Sequence, residues 1–599
     1  MPNKKLVPVK YTNRDFETIK SDLVEYAKRY YSDTFKDFSE ASFGALMLDT
    51  VAYVGDILSF YLDYQANESF IDTAIDYDNV LRHGQALGYK FKQNQSSYGI
   101  TSFYILIPAS TTGLSPDEDY LPVLKRGSKL ESTEGTMFTL NDNVSFSGPA
   151  TETVVARVDP ENGLPTYYAI KAKGQVVSGE HRRETIGVGE FQRFIKVRLS
   201  NPSITEIISV TDSEGHEYFE VEHLSQNIIY KPVVNRNEDK DYAPAIMKPF
   251  VVPRRFTVDQ KSTTTNLQFG YGSDFEISND SIADPSEVIL NVHGKDYMTD
   301  NSFDPTKLIN TDKFGIAPAN TTLLVKYRTN QSNEPNASAG SINTVITPEF
   351  EFDNRSALDE DKVLDVIKSV EVINEDPIIG AVTTPDIEEL KYRIKSSFAS
   401  QNRAVTREDY ISVIYSMPPK FGSVKRATII QDTDSFRRRN LNIYVISEDN
   451  DRNLIKTNKT IKENVRTWIT KHKMINDTID ILDAKIINIG IEFVLVSDIG
   501  TNKYDALTLA NAALRKYLKR SYYIGEPLLI TDIYKTLNNV EGVSDTIDVN
   551  VVAKNGTSYS NIEFNIFDNM TPDGRALFIP DDHILEVKFP LEDIKGAVK

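Results

Sequence analysis

Cysteine is absent from this sequence of 599 residues, so neither a disulfide framework nor a thiolate metal site can form. The sequence also lacks a G-x-x-x-x-G-K-S/T phosphate loop, an H-E-x-x-H zinc motif and a G-x-S-x-G nucleophile motif. We therefore expect a protein that is not an enzyme, with no catalytic residue, no cofactor and no metal. Tryptophan occurs once, at Trp468, whereas 30 tyrosines and 29 phenylalanines provide aromatic area for interfaces.

Positive charge is in short supply over the whole chain. The 67 basic residues are outnumbered by 86 acidic ones, which gives a formal net charge of −19. This balance opposes sequence-independent binding to nucleic acid, because such binding depends on neutralising phosphates. It favours solubility or basic protein partners. The first residues contain no apolar run long enough for a signal peptide, so we expect assembly in the cytoplasm.

The lack of positive charge is complete between Asp37 and Leu81, where neither lysine nor arginine occurs although eight acidic residues do. Within this stretch, Phe43–Tyr64 has the apolar periodicity of a helix. The main apolar stripe consists of Phe43, Met47, Val51, Val54, Leu58 and Leu62. Further apolar residues lie outside that stripe, so a single core-facing seam does not explain them. The pattern predicts a helix in a bundle with neighbours on more than one side, among them another chain.

A membrane span is the alternative for this helix, because about 22 helical residues reach roughly 33 Å. Asp49, Asp56 and Asp63 oppose it, since each would cost roughly 2.5–3.5 kcal/mol near the bilayer centre. We therefore expect no membrane contact. The seven-residue spacing places the three aspartates on one helix face, at intervals of ~10 Å that are too long for one shared ion. We interpret this face as solvated or as contacting basic residues of a partner.

The order of patterns along the chain predicts a multidomain α+β protein. The first part contributes helices to an inter-subunit bundle, and period-two patterns then predict a β-rich middle region. Strands interleaved with helices predict a C-terminal α/β sandwich of ferredoxin-like type. The predicted boundaries are 1–92 for the helices, 93–350 for the β-rich region with a joint near 235–253 if it forms two subdomains, 351–420 for a helical connector, 421–555 for the sandwich and 556–599 for C-terminal strands or an arm.

Local signals place several element ends. Thr12–Asp15 and Thr406–Asp409 each have the pattern of a capping box that opens a helix. Gly88 is expected to end a helix as its C-cap. Thr384 followed by Pro385 predicts another helix start, with proline at the first helical position. In the tail, Phe564–Phe567 and Ile584–Phe589 are expected to form edge strands or an arm.

One cluster resembles a metal site in composition. It consists of His216, Glu217, Glu220, Glu222 and His223. On a strand these side chains would be divided between the two faces, which favours an ordinary polar strand over a metal site.

Two basic spots are candidates for contacts. Arg437, Arg438 and Arg439 lie between two predicted strands, where they are expected at a hairpin tip and could contact an acidic segment of a sister subunit. Lys516–Tyr523 interleaves bases with aromatics, as a single-strand nucleic-acid binder does. It also ends a predicted helix, and favourable interaction with the helix dipole is the stronger interpretation.

Several motifs follow one another over nearly the whole chain. The N-terminal motifs are Tyr11–Phe16, Phe43–Asp56 and Glu68–Ala74, and the later ones are Leu267–Gly272, Val325–Asn330, Ile379–Asp386, Arg403–Tyr410, Ile524–Leu528 and Val540–Val543. The N-terminal motifs resemble the opening of baseplate wedge subunits of contractile-tailed bacteriophages. The later motifs resemble the related baseplate J-like family.

The resemblance implies a structural protein of the virion. In this family, wedge subunits dimerise, contribute N-terminal helices to a core bundle shared with another wedge protein, and link wedges into a ring around the tail hub. The implied partners are a second copy of the chain, other wedge proteins, and hub or sheath-initiating proteins. The candidate interface residues are Phe43, Met47, Val51, Val54, Leu58 and Leu62 with Asp49, Asp56, Asp63, Arg437, Arg438 and Arg439.

A carbohydrate-active tail enzyme is the alternative function. Its catalytic domain would be the β-rich region, and paired carboxylates at about 5–10 Å would carry the reaction. Acidic residues are abundant enough to provide such a pair. A groove lined by tryptophan is not available with Trp468 alone, although tyrosine can replace tryptophan in such a groove.

Overall fold

The structure is a computed structural model, and it describes residues 15–31, 42–90, 95–110, 113–148, 151–161, 163–234, 245–260, 264–273, 314–330, 335–432 and 440–599. It contains two compact units. The described residues up to Lys90 form the N-terminal unit together with Pro385–Ala399, and Phe91–Thr384 with Ser400–Lys599 form the second unit. The chain is mixed α+β, with an N-terminal helical segment and a β-rich remainder, as the sequence predicts.

The helices in the described residues are α1 (Phe16–Tyr30), α2 (Phe43–Glu68), α3 (Tyr77–Ala86), α4 (Glu360–Lys368), α5 (Ile387–Ser400), α6 (Arg407–Tyr415), α7 (Lys459–Thr470), α8 (Lys503–Leu518), α9 (Ile530–Asn538), α10 (Ile566–Asn569) and α11 (Pro590–Asp593).

The strands in the described residues are β1 (Tyr98–Pro108), β2 (Val123–Leu124), β3 (Lys129–Ser132), β4 (Met137–Leu140), β5 (Val144–Ser145), β6 (Glu152–Val158), β7 (Pro165–Ser178), β8 (Glu180–Val188), β9 (Lys196–Arg198), β10 (Ile204–Thr211), β11 (Glu217–Glu220), β12 (Ile228–Val234), β13 (Ala245–Val251), β14 (Arg255–Gln260), β15 (Thr265–Phe269), β16 (Thr321–Thr329), β17 (Ile342–Thr347), β18 (Phe350–Glu351), β19 (Glu371–Ile373), β20 (Arg426–Gln431), β21 (Asn440–Glu448), β22 (Leu454–Ile455), β23 (Thr478–Asp483), β24 (Lys485–Ser497), β25 (Leu528–Leu529), β26 (Val543–Ala553), β27 (Ala576–Leu577), β28 (His583–Glu586) and β29 (Ile594–Val598).

The N-terminal unit consists of α1, α2, α3 and α5. Asp15 caps α1, because its carboxylate accepts a hydrogen bond from the backbone N–H of Thr18 at 3.2 Å. The prediction that Thr12 opens this helix is therefore wrong, since the acidic side chain at the end of the motif has the capping role. The predicted long helix is confirmed, and α2 extends to Glu68. Gly88 follows α3 with φ +88°, in agreement with its predicted role at the helix end.

Two seven-stranded sheets form the β-rich part of the second unit. The first has the strand order β17-β3-β4-β7-β1-β19, with β6 also paired to β7. The second has the order β8-β16-β10-β11-β14-β15-β9, and only β11 and β14 among its pairs run parallel. Leu323, Val325 and Tyr327 of β16 are buried at alternate positions, so the period-two pattern of the sequence turns one face of this strand to the core.

The described C-terminal part of the second unit contains two four-stranded sheets and the two-stranded sheet of β25 and β27. In the first, β21 pairs antiparallel with β20 and parallel with β23. In the second, β24 pairs antiparallel with β26 and parallel with β28 and β29. The predicted capping box at Thr406–Asp409 opens α6 with both reciprocal hydrogen bonds. The ferredoxin-like type of this region stays a prediction.

Two local predictions need correction. Phe564–Phe567 is not a strand, because Ile566–Asn569 forms the short helix α10 with Asn565 as its N-cap. Four residues of alternating pattern do not distinguish a strand from one helical turn. Helix α5 begins at Ile387 rather than at Pro385, and the carboxylate of Asp386 accepts the backbone N–H of Glu389 at 2.7 Å.

Candidate assembly interface

One side of α2 is narrow and consists of small residues. Ala45 and Ala52 are buried there. A Cβ added to Gly55 would lie 3.4 Å from Cδ1 of Ile19, so α1 approaches this side closely. Ala45, Ala52 and Gly55 are seven and three positions apart and so share one side of α2, which lets the two helices pack without a large side chain between them.

The three aspartates lie on this same side of α2. Asp49, Asp56 and Asp63 are half-buried, and Nζ of Lys20 is 2.8 Å from a carboxylate oxygen of Asp49. For Asp49 the expected basic residue of a partner is thus replaced by Lys20 of the same chain, which lies on α1. The aspartate face of the helix is turned towards α1, because the seven-residue spacing keeps the aspartates in register with the small residues.

The opposite side of α2 is broad, apolar and exposed. Its exposed large residues range from Tyr64, at 39% exposure, to Phe43, at 72%. We call this surface the apolar face of α2, and it consists of Phe43, Leu46, Met47, Val51, Tyr53, Val54, Leu58, Phe60, Tyr61, Leu62 and Tyr64. At 3.6 residues per turn these positions cover roughly 200° of the helix circumference. The six predicted stripe residues all belong to it, together with Leu46, Tyr53 and Phe60, which lie outside the stripe.

Glu68 fixes the C-terminal end of α2. This buried carboxylate accepts the backbone N–H of Ile75 at 2.7 Å and that of Asp76 at 3.1 Å. It also accepts the side-chain amide of Asn79 at 3.0 Å. The backbone hydrogen bond from Ile75 is the main reason why the pKa of Glu68 lies below its usual value. The turn between α2 and α3 is therefore held by an ionised side chain.

Helix α5 reaches the same turn from a distant part of the chain. Nζ of Lys391, which is buried, donates to the backbone carbonyl of Asp72 at 3.1 Å, and Lys395 forms an ion pair with the carboxylate of Asp72. A Cβ on Gly84 of α3 would lie only 2.8 Å from Cδ1 of Ile394. This contact is not visible in the sequence, because the amphipathic pattern of α5 shows that the helix packs but not which helix it packs on.

The remaining candidates are the three arginines and the metal-like cluster. Arg437, Arg438 and Arg439 lie outside the described residues. In the metal-like cluster only Glu217 and Glu220 belong to β11, and Nδ1 of His216 is 3.1 Å from a carboxylate oxygen of Asp212. Within the described ranges no group of three or more His, Cys, Asp or Glu side chains could hold a metal ion.

The basic and aromatic segment at the end of α8 is engaged within the chain. The guanidinium of Arg520 lies over the rings of Tyr517 and Tyr522, at 5.4 Å and 4.8 Å from their centroids. Lys519 is the C-cap residue of α8. These positions agree with interaction at a helix end.

Trp468 packs at the core of the second unit. It is partly buried, and its Nε1–H donates to the carbonyl of Val413 at 2.8 Å. Its ring is thus used in packing between α6 and α7. No observation in the part of the chain that the structure describes favours the alternative function as a carbohydrate-active tail enzyme.

By length and composition α2 is able to span a membrane, and it is the one helix of the described residues that meets this test. Asp49, Asp56 and Asp63 are nevertheless half-buried on the side towards α1, and Asp49 is paired there. This arrangement is typical of a helix hairpin that packs through one side and offers the other to a partner.

The N-terminal helices match a known family model. Residues 15–86, which contain α1, α2 and α3, match the N-terminal domain of bacteriophage baseplate proteins. A comparison with curated protein sequences gives no significant match. The match of residues 15–86 supports a baseplate protein.

Two solved assemblies show a distant likeness to the chain. One is the baseplate of the anti-feeding prophage, with 10% identity and a TM-score of 0.25 over 95% of this chain and 90% of the other. The second is the TssK–TssF–TssG baseplate subcomplex of the type VI secretion system, with 8% identity and a TM-score of 0.25 over 72% and 96%. Scores this low do not support an argument.

Proposed function

We propose that this chain is a structural subunit of the baseplate wedge in a contractile bacteriophage tail, and that it has no catalytic role. The observation that carries the proposal is the apolar face of α2, which lies inside the segment that matches the baseplate N-terminal domain. A helix with such a face is stable in water only when other helices cover it. The subunit functions by holding its neighbours through this face.

The energy available from the apolar face is sufficient for stable assembly. If about 800 Å² were covered per partner, the gross hydrophobic contribution would be on the order of 20 kcal/mol. The loss of translational and rotational freedom offsets much of this gain. The remainder would still hold a subunit in a permanent complex.

The finer roles follow from the resemblance to wedge subunits and to the baseplate J-like family. The chain would dimerise within a wedge, join a helical core bundle with another wedge protein, and link wedges into a ring around the tail hub. When the tail contracts before genome ejection, these interfaces would repack between discrete arrangements. What supports these roles is the order of the wedge-like and J-like motifs along the chain, from Tyr11 to Val543.

Two substitutions test the assignment of the bundle. We expect Val51→Asp and Leu58→Asp each to abolish incorporation into wedges, because a desolvated carboxylate at the contact costs several kcal/mol. Both side chains are exposed in the chain alone, so neither substitution disturbs its own core. Co-purification with co-expressed tail proteins measures incorporation, and circular dichroism checks that the C-terminal part remains folded.

Asn67→Asp is the matched control. Asn67 is also exposed on α2 but lies outside the apolar face, so the same added charge should leave incorporation unchanged. Normal wedge assembly by the Val51 and Leu58 variants would refute the role of this face.

A further inference from the structure

Three of the acidic residues around α2 already have partners within the N-terminal unit. Asp49 pairs with Lys20, and Asp72 pairs with Lys395. Glu68 is used to hold the turn that follows α2. Although the stretch between Asp37 and Leu81 contains no base, three of its eight acidic residues thus have no need of basic residues from a partner.

The apolar face itself contains no charged residue. The polar residues within its arc are Thr50 and Gln65, and in the last turn Glu68, whose carboxylate is buried in the turn to α3. The hydroxyl of Thr50 donates to the carbonyl of Leu46 on the same helix at 2.8 Å, so a partner does not have to accept that hydrogen bond. A surface of this composition gains free energy from losing water and gains little from opposite charge.

The face is also wider than one neighbouring helix covers. A helix that packs on one side buries an apolar stripe of about 100°, whereas the apolar face of α2 covers roughly 200°. Helix α1 occupies the opposite, small-residue side. Two further helices are therefore needed to cover α2.

We infer that the partner of α2 offers at least two helices whose contact surface is apolar and uncharged, so that the association depends little on salt. This inference rests on the proposed function and specifies its partner. Lipid fits the face less well, because Tyr53 and Tyr61 lie well inside α2 and would bring their hydroxyls into the hydrocarbon region.

The test compares two charges of opposite sign at one position. Val54 lies on the apolar face and is 49% exposed. Affinity is measured between the full chain, as Val54→Asp and as Val54→Lys, and the co-expressed neighbouring tail proteins. We expect both variants to bind at least tenfold more weakly than the unmodified chain. We expect the affinity of the unmodified chain to change by less than threefold between 50 mM and 500 mM NaCl.

Asn67→Lys is the control for added positive charge on α2 outside the apolar face, and it should bind normally. Two results would overturn the inference and leave the proposed function intact. One is a difference between the two charges, with strong binding by Val54→Lys and loss of binding by Val54→Asp. The other is a tenfold loss of the unmodified chain's affinity at high salt, because either result would show that charge contributes to the contact. Flotation of the chain with phosphatidylcholine and phosphatidylglycerol vesicles, lost in Val54→Lys, would overturn it in favour of lipid. An unmodified chain that binds no tail protein even at low salt would refute the proposed function as well.

Discussion

At the scale of single residues, Glu68 shows how the chain uses an acidic residue for structure. Its carboxylate joins the end of α2 to the start of α3 through the N–H groups of Ile75 and Asp76. The hydrogen bonds favour the ionised form, which lowers the pKa of Glu68 from its usual value of 4.5. The stabilisation from a carboxylate with a lowered pKa is complete above the pKa of the unfolded chain and is lost as pH falls through the folded pKa.

The lowered pKa of Glu68 predicts that the turn after α2 becomes less stable as the pH falls. Below about pH 4 we expect the amides of Ile75 and Asp76 to lose hydrogen-exchange protection earlier than the core of the second unit does. In Glu68→Gln, the amide side chain cannot ionise, and protection at these amides should be weaker at neutral pH and nearly independent of pH. Hydrogen exchange followed by mass spectrometry measures both. Equal pH dependence in the two proteins would contradict this role of Glu68.

The charge pattern around α2 could be predicted only in part from the sequence. The seven-residue spacing correctly places Asp49, Asp56 and Asp63 on one helix face. It does not show what that face contacts, because Lys20 lies 29 residues before Asp49 on another helix. The acidic stretch taken alone is compatible with a solvated face or with basic residues of a partner, and neither interpretation identifies Lys20 as the residue that pairs with Asp49.

At the scale of elements, α3 and α5 can pack closely because α3 has a glycine, Gly84, at the point of contact. Gly84 leaves room for Ile394, which is fully buried. A Cβ at Gly84 would lie 2.8 Å from Cδ1 of Ile394, which is closer than real Cβ contacts. The contact therefore depends on this pair of residues as a unit.

A substitution at this contact should displace α5. We expect Gly84→Val to destabilise the N-terminal unit by about 1–3 kcal/mol, since overpacking forces the helices apart. Thermal unfolding and hydrogen exchange in α3 measure the effect. Ile394→Ala added to Gly84→Val should recover part of the loss by making space. If the double variant is no more stable than Gly84→Val, the two helices do not share this contact in solution.

Elements with strong local patterns were predictable from the sequence. The apolar spacing of α2 and the capping box at Thr406–Asp409 are local features, and both were found where they were expected. The helix α10 was missed because its pattern is too short to have a clear period. The packing of α5 on α3 and on the turn before it was missed because it joins residues about 300 positions apart in the chain.

At the scale of the whole molecule, the net charge of −19 makes Arg437, Arg438 and Arg439 a candidate contact with a second copy. We expect native mass spectrometry of the chain, expressed with its neighbouring tail proteins, to show complexes that contain more than one copy. Reversing the three arginines to glutamate should lower the number of copies while binding through α2 persists, because repulsion replaces attraction between the copies.

The same native mass spectrometry experiment distinguishes the contact made by α2 from the contact made by Arg437, Arg438 and Arg439. Leu58→Asp should remove the neighbouring tail proteins and leave any contact between copies of the chain. An unchanged copy number after reversal of Arg437–Arg439 would count against the arginine contact.

The late position of α5 in the chain has a consequence for synthesis. The ribosome makes roughly 300 residues between the end of α3 and the start of α5, which takes about 15–60 s at ~5–20 residues per second. Throughout that interval the nascent N-terminal helices lack the stabilising contacts of α5. Docking onto other tail proteins during this time would cover the apolar face of α2 and protect it from chaperones and proteases. The order in which the tail genes are translated would therefore influence the yield of intact particles.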